Sequence, residues 1–463
     1  MDRTTERIVD FALGFSEADL TPTVMTSTLN HVVDAIAVAI AGTRAEPARI
    51  AAQIAAASRA EPGATLIGHG GGVAPDMAAF ANAVMVRTYD WNDGMQAKAG
   101  GHPSDMLPAL LAVGEITHST GIDLLVATAL AYELLGGLGA KVERRHFDQG
   151  LFMGAAAGLA CGRLLGFDRD QLGHVASLTM TTALQLAVHR WGALSMTKGA
   201  STAFAVRNAV FCTLLARAGF TSAPEPVEGI FGLWAAMGEF EPALPVIPGG
   251  PSVMEMSHQK PIPAETQVLG LLDHMPEIRA WAPVDEIESI DITLSDHAAS
   301  HVADPPKFRP TTRETADHSL PYMLAVALVD GDITLDSYNP ERLDDPALRS
   351  VMDRITVSTT AEFNAIRAEV YGVTLAHPVR AVFRTRSGGT RTIEVRYHKG
   401  HYRDPMNQAD VDIKFDKAVA GVVSEQVAER IRKAWWNIET AADVHEPISL
   451  LGNLGPAPTV KER

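Results

Sequence analysis

From residue 29 to residue 218 the chain repeats one pattern: an apolar, alanine-rich stretch of helical length, then a junction containing Gly or Pro. Leu29–Ala41 (LNHVVDAIAVAIA) is apolar around most of its circumference, as a helix with neighbours on all sides must be. Stretches at 47–60, 76–87, 104–116, 122–135, 154–165, 169–186 and 202–218 follow, and no strand signal precedes residue 280. Such an opening demands a helix-on-helix core. After Pro263 the pattern changes. Glu286–Leu294 (EIESIDITL) alternates apolar and polar residues, and so do 355–360 and 380–397, the last reading as a hairpin that turns at Ser387-Gly388-Gly389. Helices are predicted again at 320–329, 408–422 and 425–442, with a frayed tail after Leu454. The expected fold is mainly α. Residues 1–264 and 401–463 form a large all-α helical domain, and residues 265–400 form a smaller α+β lid inserted before the C-terminal helices. The chain's 463 residues exceed the roughly 250–300 that one core supports, which agrees with two domains.

The formal charge of −16 disfavours nucleic acid and anionic membrane as partners. An anionic substrate would therefore need a locally cationic pocket. The two cysteines, Cys161 and Cys212, lie in apolar helical stretches and read as buried free thiols, which suits a reducing cytoplasm. The charged start, MDRTTERIVDFALGF, does not read as a signal peptide, and the apolar run at 124–140 is short and interrupted for a membrane span. A soluble cytoplasmic protein is expected.

Four segments concentrate polar groups. The first is Asp90-Trp91-Asn92-Asp93-Gly94, then His102-Pro103-Ser104-Asp105, a loop between two buried helices in which Ser104 or Asp105 is placed to cap. Asp93, Gly94 and Asp105 suit turn and capping chemistry; Asp90 and His102 fit structure and function equally. The second is WGALSMTK (191–198), where Lys198 precedes an apolar helix that begins with small residues, an arrangement that attracts anions. The third is His258-Gln259-Lys260-Pro261-Ile262-Pro263, with Lys260 at the expected domain boundary. The fourth is RETADHSLPY (313–322), where functional and salt-bridge roles are both open. No HExxH, phosphate loop, GxGxxG or GxSxG is present, so neither a metal nor an organic cofactor is expected.

These segments resemble the MmgE/PrpD family. Asp90-Trp91-Asn92-Asp93 with His102-Pro103-Ser104-Asp105 looks like its D-[FW]-[ND]-D-T…HPSD signature. Residues 195–234, beginning SMTKGASTAFAVRN, are similar to its lysine-containing helix, and RETADHSLPYMLAVAL (313–328) resembles its 2-methylcitrate dehydratase-like branch. Lys399-Gly400-His401, Asp404-Pro405-Met406 and Lys414-Phe415 fit the end of its inserted domain. The resemblance implies a homodimeric, cofactor-free enzyme acting on a small polycarboxylate, with its site in the cleft between the domains. It places the family's catalytic aspartate at Asp90, its loop histidine at His102, its anion-binding lysines at Lys198 and Lys260, and its late tyrosine at Tyr322. Asp93, Asp148, Gln149, Arg313 and His318 are the further substrate-binding candidates. Three positions depart from the family pattern: Gly94 stands where Thr is usual, His146-Phe147-Asp148-Gln149-Gly150 displaces a histidine, and none follows Lys260 in PIPAET.

Dehydrating a β-hydroxy acid requires a base, stabilisation of enolate-like charge and a donor to the leaving hydroxyl. His102 is the expected acid/base, with Asp90 orienting it or acting as the base. Lys198 and Lys260 hold carboxylates, and Tyr322 donates to the leaving oxygen. The same groups could serve epimerisation or decarboxylation, and a non-catalytic carboxylate binder is the alternative outside enzymology.

Overall fold

The computed structural model describes residues 1–144, 146–192, 194–368 and 376–455. The expected frayed tail lies, from residue 456, outside the described residues. Two compact units divide the chain. One comprises Met1–Val188, Gly199–His258 and the stretch from Asn407 on; the other comprises His189–Lys198 and Gln259–Met406. The expected division differs in one consequential way: residues 189–198, which carry Lys198, pack with the second unit. Thr312 Oγ1 donates to the Leu194 carbonyl (3.2 Å), and the Leu194 amide reaches Thr315 Oγ1 (3.4 Å).

Among the described residues, the first unit is built on nine α-helices before residue 218: α1 (Arg3–Gly14), α2 (Pro22–Gly42), α3 (Glu46–Ala56), α4 (Pro75–Arg87), α5 (Leu107–Thr117), α6 (Gly121–Gly139), α7 (Met153–Leu164), α8 (Arg169–Thr182) and α9 (Ser201–Arg217). Three more, Gln408–Val419, Glu425–Trp436 and His445–Gly452, return to it from the C-terminal segment. Their starts carry the caps the sequence encodes: Thr120 with Asp123, Asp168 with Gln171 and Asn407 with Asp410 form reciprocal capping boxes. Every residue of α2 from Asn30 to Gly42 is buried, which explains its apolar circumference. At its end Gly42 lies against α4 so closely that a β-carbon there would meet the Met85 carbonyl oxygen at 2.0 Å. By length and composition alone α2 and α6 could each cross a bilayer, a correction for α6, whose apolar run reads as too short in the sequence. Both are core helices here, with 78% and 83% of their apolar windows buried.

A second correction concerns strands. β1 (Arg59–Leu66) and β2 (Gly70–Val73) pair antiparallel well before residue 280. Pro62 and the Gly70–Gly72 run hide them from periodicity. A lone two-stranded ribbon is marginal by itself. This one is pinned to the helices: Asn82 of α4 brackets Thr65 and Ile67 with two hydrogen bonds (2.9 and 3.0 Å), and Glu115 of α5 accepts from the Thr65 amide and hydroxyl (2.6 and 2.7 Å).

The second unit carries a four-stranded sheet in the order β4-β3-β5-β6: β3 (Ile287–Leu294), β4 (Ile355–Thr359), β5 (Val379–Thr385) and β6 (Thr390–Val395). β3 pairs parallel with β4 and antiparallel with β5, and β5–β6 is the expected hairpin. One core joins the inward residues of β3 and β5 to the helix Leu320–Val329, which forms over the expected residues.

Candidate functional site

The loop after α4 is shaped by ionic and hydrogen bonds as well as by its buried Trp91 and Met95. Asp90 takes φ = 50°, a left-handed conformation that costs a side-chain-bearing residue energy and marks a position held by its surroundings. The holder is Arg87, a buried arginine one helical turn earlier, whose guanidinium pairs with Asp90 Oδ1 and lies 3.9 Å from Asp105 Oδ2. The loop then closes on itself: Met95 and Gly101 exchange backbone hydrogen bonds (2.7 and 3.1 Å), returning the chain so that His102 faces Asp90. His102 Nδ1 lies 2.5 Å from the Asp93 carbonyl oxygen. A carbonyl can only accept, so Nδ1 carries the proton; Nε2 lies 3.9 Å from Asp90 Oδ1.

Asp93 is the anchor of this loop. Its carboxylate accepts from Tyr132 Oη (2.6 Å), Ser104 Oγ (2.6 Å), the Ser104 amide (3.0 Å) and His31 Nδ1 (3.0 Å). Burial alone would push its pKa up. The bonds from His31, Ser104 and Tyr132 outweigh that and hold it below the usual carboxylate range. Asp93 is fully buried, and these bonds tie the loop to α2 and α6. Neither Ser104 nor Asp105 caps α5. Asn92 Nδ2 reaches both, at 2.9 and 3.0 Å. Lys414, more than 300 residues away in sequence, closes the other side of the loop. Its Nζ donates to the Trp91 carbonyl (2.6 Å) and pairs with Asp34 of α2 (2.5 Å), whose pKa burial raises despite that lysine.

Asp148 and Gln149 stand next to this loop. Asp148 is buried and accepts from Ser201 Oγ (2.6 Å), tying the segment to the start of α9. Gln149 packs on Gly101, the neighbour of His102. Among the described residues, the buried amide oxygens of Gln149 and Gln185 have no hydrogen-bond partner, and buried acceptors in that state suit a ligand hydroxyl.

The second unit holds a different cluster. Lys198 is fully buried and its Nζ lies 3.0 Å from Asp317 Oδ1. Arg313 approaches Oδ2 of the same carboxylate (3.6 Å), and His318 Nδ1 donates to Oδ1 (2.7 Å). Burial would raise the Asp317 pKa; Lys198, His318 and Arg313 together bring it below the ordinary value. Two cations against one carboxylate leave the cluster net positive. Arg190 NH1 caps the Lys198 carbonyl (2.7 Å). Lys260 is buried too. Burial above all, with smaller contributions from His401 and from the charge of Lys260, brings the His398 pKa down to about 3. Tyr322 sits in the sheet–helix core; its hydroxyl donates to the Ser337 carbonyl (2.6 Å), and burial pushes its pKa to about 12.

The structure thus gathers Asp90, His102 and Gln149 in one unit and Lys198, Arg313 and His318 in the other. Arg87 is absent from the sequence reading, although it had a local signal, lying three residues before Asp90; Asp317 and Lys414 stand there only within longer motifs, and their roles are identified by their long-range partners.

Residues 6–243 match the MmgE/PrpD N-terminal domain and residues 263–440 the MmgE/PrpD C-terminal domain. The chain belongs to the MmgE/PrpD family. Relatives in the family include the cis-aconitate decarboxylase-like protein oryM of Aspergillus oryzae, 24% identical with 96% of this chain and 97% of that protein covered. Human cis-aconitate decarboxylase is 24% identical, covering 98% and 95%. The 2-methylcitrate dehydratase of Cupriavidus necator is 27% identical, covering 71% and 72%.

Proposed function

We propose that the chain is a lyase that dehydrates a small hydroxy di- or tricarboxylate, without a cofactor. The observation that carries this reading is the anchored imidazole of His102, with Nδ1 bonded to the Asp93 carbonyl and Nε2 toward Asp90. In the proposed reaction His102 Nε2 takes the proton alpha to a carboxylate, the carbon–oxygen bond breaks, a double bond forms, and the departing hydroxide takes up a proton to leave as water. Asp90 orients His102 and balances the charge it gains. Lys198, Arg313 and Lys260 bind carboxylates and stabilise the enolate-like charge. Gln149 accepts from the substrate hydroxyl. His318, whose Nδ1 is tied to Asp317, replaces Tyr322 as the donor to the leaving oxygen.

A panel of hydroxy di- and tricarboxylates, 2-methylcitrate included, tests this: ultraviolet absorbance from a new double bond and loss of one water by mass are expected. Exchange of the carbon-bound proton without loss of water would indicate an epimerase instead. A second reading, decarboxylation of an unsaturated tricarboxylate, is favoured by the fuller coverage of the decarboxylase relatives; carbon dioxide release from cis-aconitate tests it. We also propose a cytoplasmic homodimer. The buried free thiols of Cys161 and Cys212 suit a reducing compartment, and the exposed Phe204 and Phe211 of α9, with Ile230 at 85% and Phe231 at 92% exposure, supply an apolar surface for a second copy. Sedimentation should give a dimer, and Phe231→Glu should weaken it.

A further inference from the structure

Gly94 is not required by its backbone. It is absent from the glycines with positive φ, so any residue could adopt its conformation. What excludes a side chain is His258. A β-carbon on residue 94 would lie 2.4 Å from His258 Cε1 and 2.5 Å from Nε2. The backbones of the two residues are clamped: the Gly94 amide donates to the His258 carbonyl and the His258 amide to the Gly94 carbonyl, both at 2.8 Å. His258 is 2% exposed, so its ring is shielded from solvent. It also follows a rigid lead, the short helix Val253–Met256 with its Ser252–Glu255 capping box. The imidazole therefore occupies the place from which residue 94 would otherwise present a side chain, one residue beyond the carbonyl that binds His102 Nδ1.

We infer that His258 is a positioning residue for proton transfer: by filling the notch at Gly94 it sets the plane of the Asp93 carbonyl, and so the orientation and tautomer of His102. The consequence for turnover rests on the function proposed above; the geometry does not. The full chain, labelled with ¹⁵N only at histidine, tests both separately. Long-range proton–nitrogen spectra, with His102 assigned through His102→Gln, should show an Nδ1-protonated ring in the unaltered protein. Gly94→Ala and His258→Ala should each shift the His102 tautomer signals. In the His258→Ala background the added Gly94→Ala change should have little further effect, because the clash is gone. In turnover each single variant should lower kcat on the order of 10- to 100-fold with KM nearly constant, the signature of a misplaced reacting group. His102 signals unchanged in both single variants, or a Gly94→Ala effect that persists undiminished without the His258 ring, would overturn the inference. If Gly94→Ala does not fold, His258→Ala alone carries the same readout. A protein inactive on every acid would count against the proposed function while the spectra still decided the role of His258.

Discussion

The two polar clusters are built on opposite principles. Around Asp90 and His102, carboxylates outnumber the one guanidinium, and hydrogen bonds from α2, α6 and the loop itself fix every heavy atom that matters. Around Lys198, cations outnumber the single carboxylate of Asp317. The first arrangement suits moving a proton along a defined direction; the second suits holding negative charge. A protein with a net charge of −16 can concentrate positive potential where Lys198 and Arg313 stand because burial lowers the local dielectric around them.

The sharpest way to break this contrast is kinetic. His102→Gln and Asp90→Asn should each lower kcat by about 10²- to 10⁴-fold with KM little changed, whereas Lys198→Met should lower kcat/KM by about 10²-fold or more and raise KM. Matching KM and kcat patterns for both clusters would erase the division of labour. Stability gives the next test. Lys198→Met leaves Asp317 as a buried charge with a weaker partner set and should cost about 3–5 kcal/mol in urea unfolding; adding Asp317→Asn should restore most of the stability and none of the activity.

Acid should separate the units more gently. His377 and His398 of the second unit are held neutral, mainly by burial, so their folded pKa values lie below the usual 6.5. The unfolded chain then binds protons first. That contribution to stability is full above about pH 6.5 and declines as pH falls toward the folded values, by up to ~1.4 kcal/mol per pH unit for each ring. Asp93 in the first unit has the same sign in a lower window: its depressed pKa stabilises at all pH above the ordinary carboxylate value and is lost only as pH falls through its folded one. Hydrogen exchange, corrected for intrinsic rates, should therefore show β3 and β5 losing protection near about pH 5 while α2 and α6 keep theirs. Equal losses would contradict the assignment. The smallest expected effect is at Glu133 of α6, which burial pushes up to about 7. A raised carboxyl stabilises below its unfolded pKa and loses that contribution as pH rises through about 7. Glu133→Gln keeps an acceptor for the Val253 amide (2.5 Å) and should raise Tm by a few degrees at about pH 8 with little change at about pH 4.

Where local pattern and tertiary need agree, the sequence is easily read. Leu320–Val329 is apolar throughout and begins at a capping Ser319, and β5–β6 alternates around a Gly388 whose φ of 87° favours glycine. Asp90 and His102 are visible because polar residues between two apolar helices need a reason. What is hidden depends on partners far along the chain. Lys198 reads as an anion-attracting lysine, but its burial against Asp317 is invisible until the two are placed side by side. Tyr322 looks exposed to substrate until its hydroxyl is seen to donate to the Ser337 carbonyl within the core, and Gly94 looks like turn chemistry until the His258 ring is found against it. β1–β2 is missed because its stability resides in Asn82 and Glu115, not in its own residues.

The central claim is that His102 exchanges a proton at the carbon next to a bound carboxylate. Incubating the unaltered protein and His102→Gln with the hydroxy acid panel in heavy water, and reading deuterium at that carbon in recovered acid and product by mass spectrometry and NMR, addresses it directly. The account predicts incorporation with the unaltered protein and its loss with His102→Gln. Equal incorporation by both proteins, or tight binding with no incorporation by either, would contradict it.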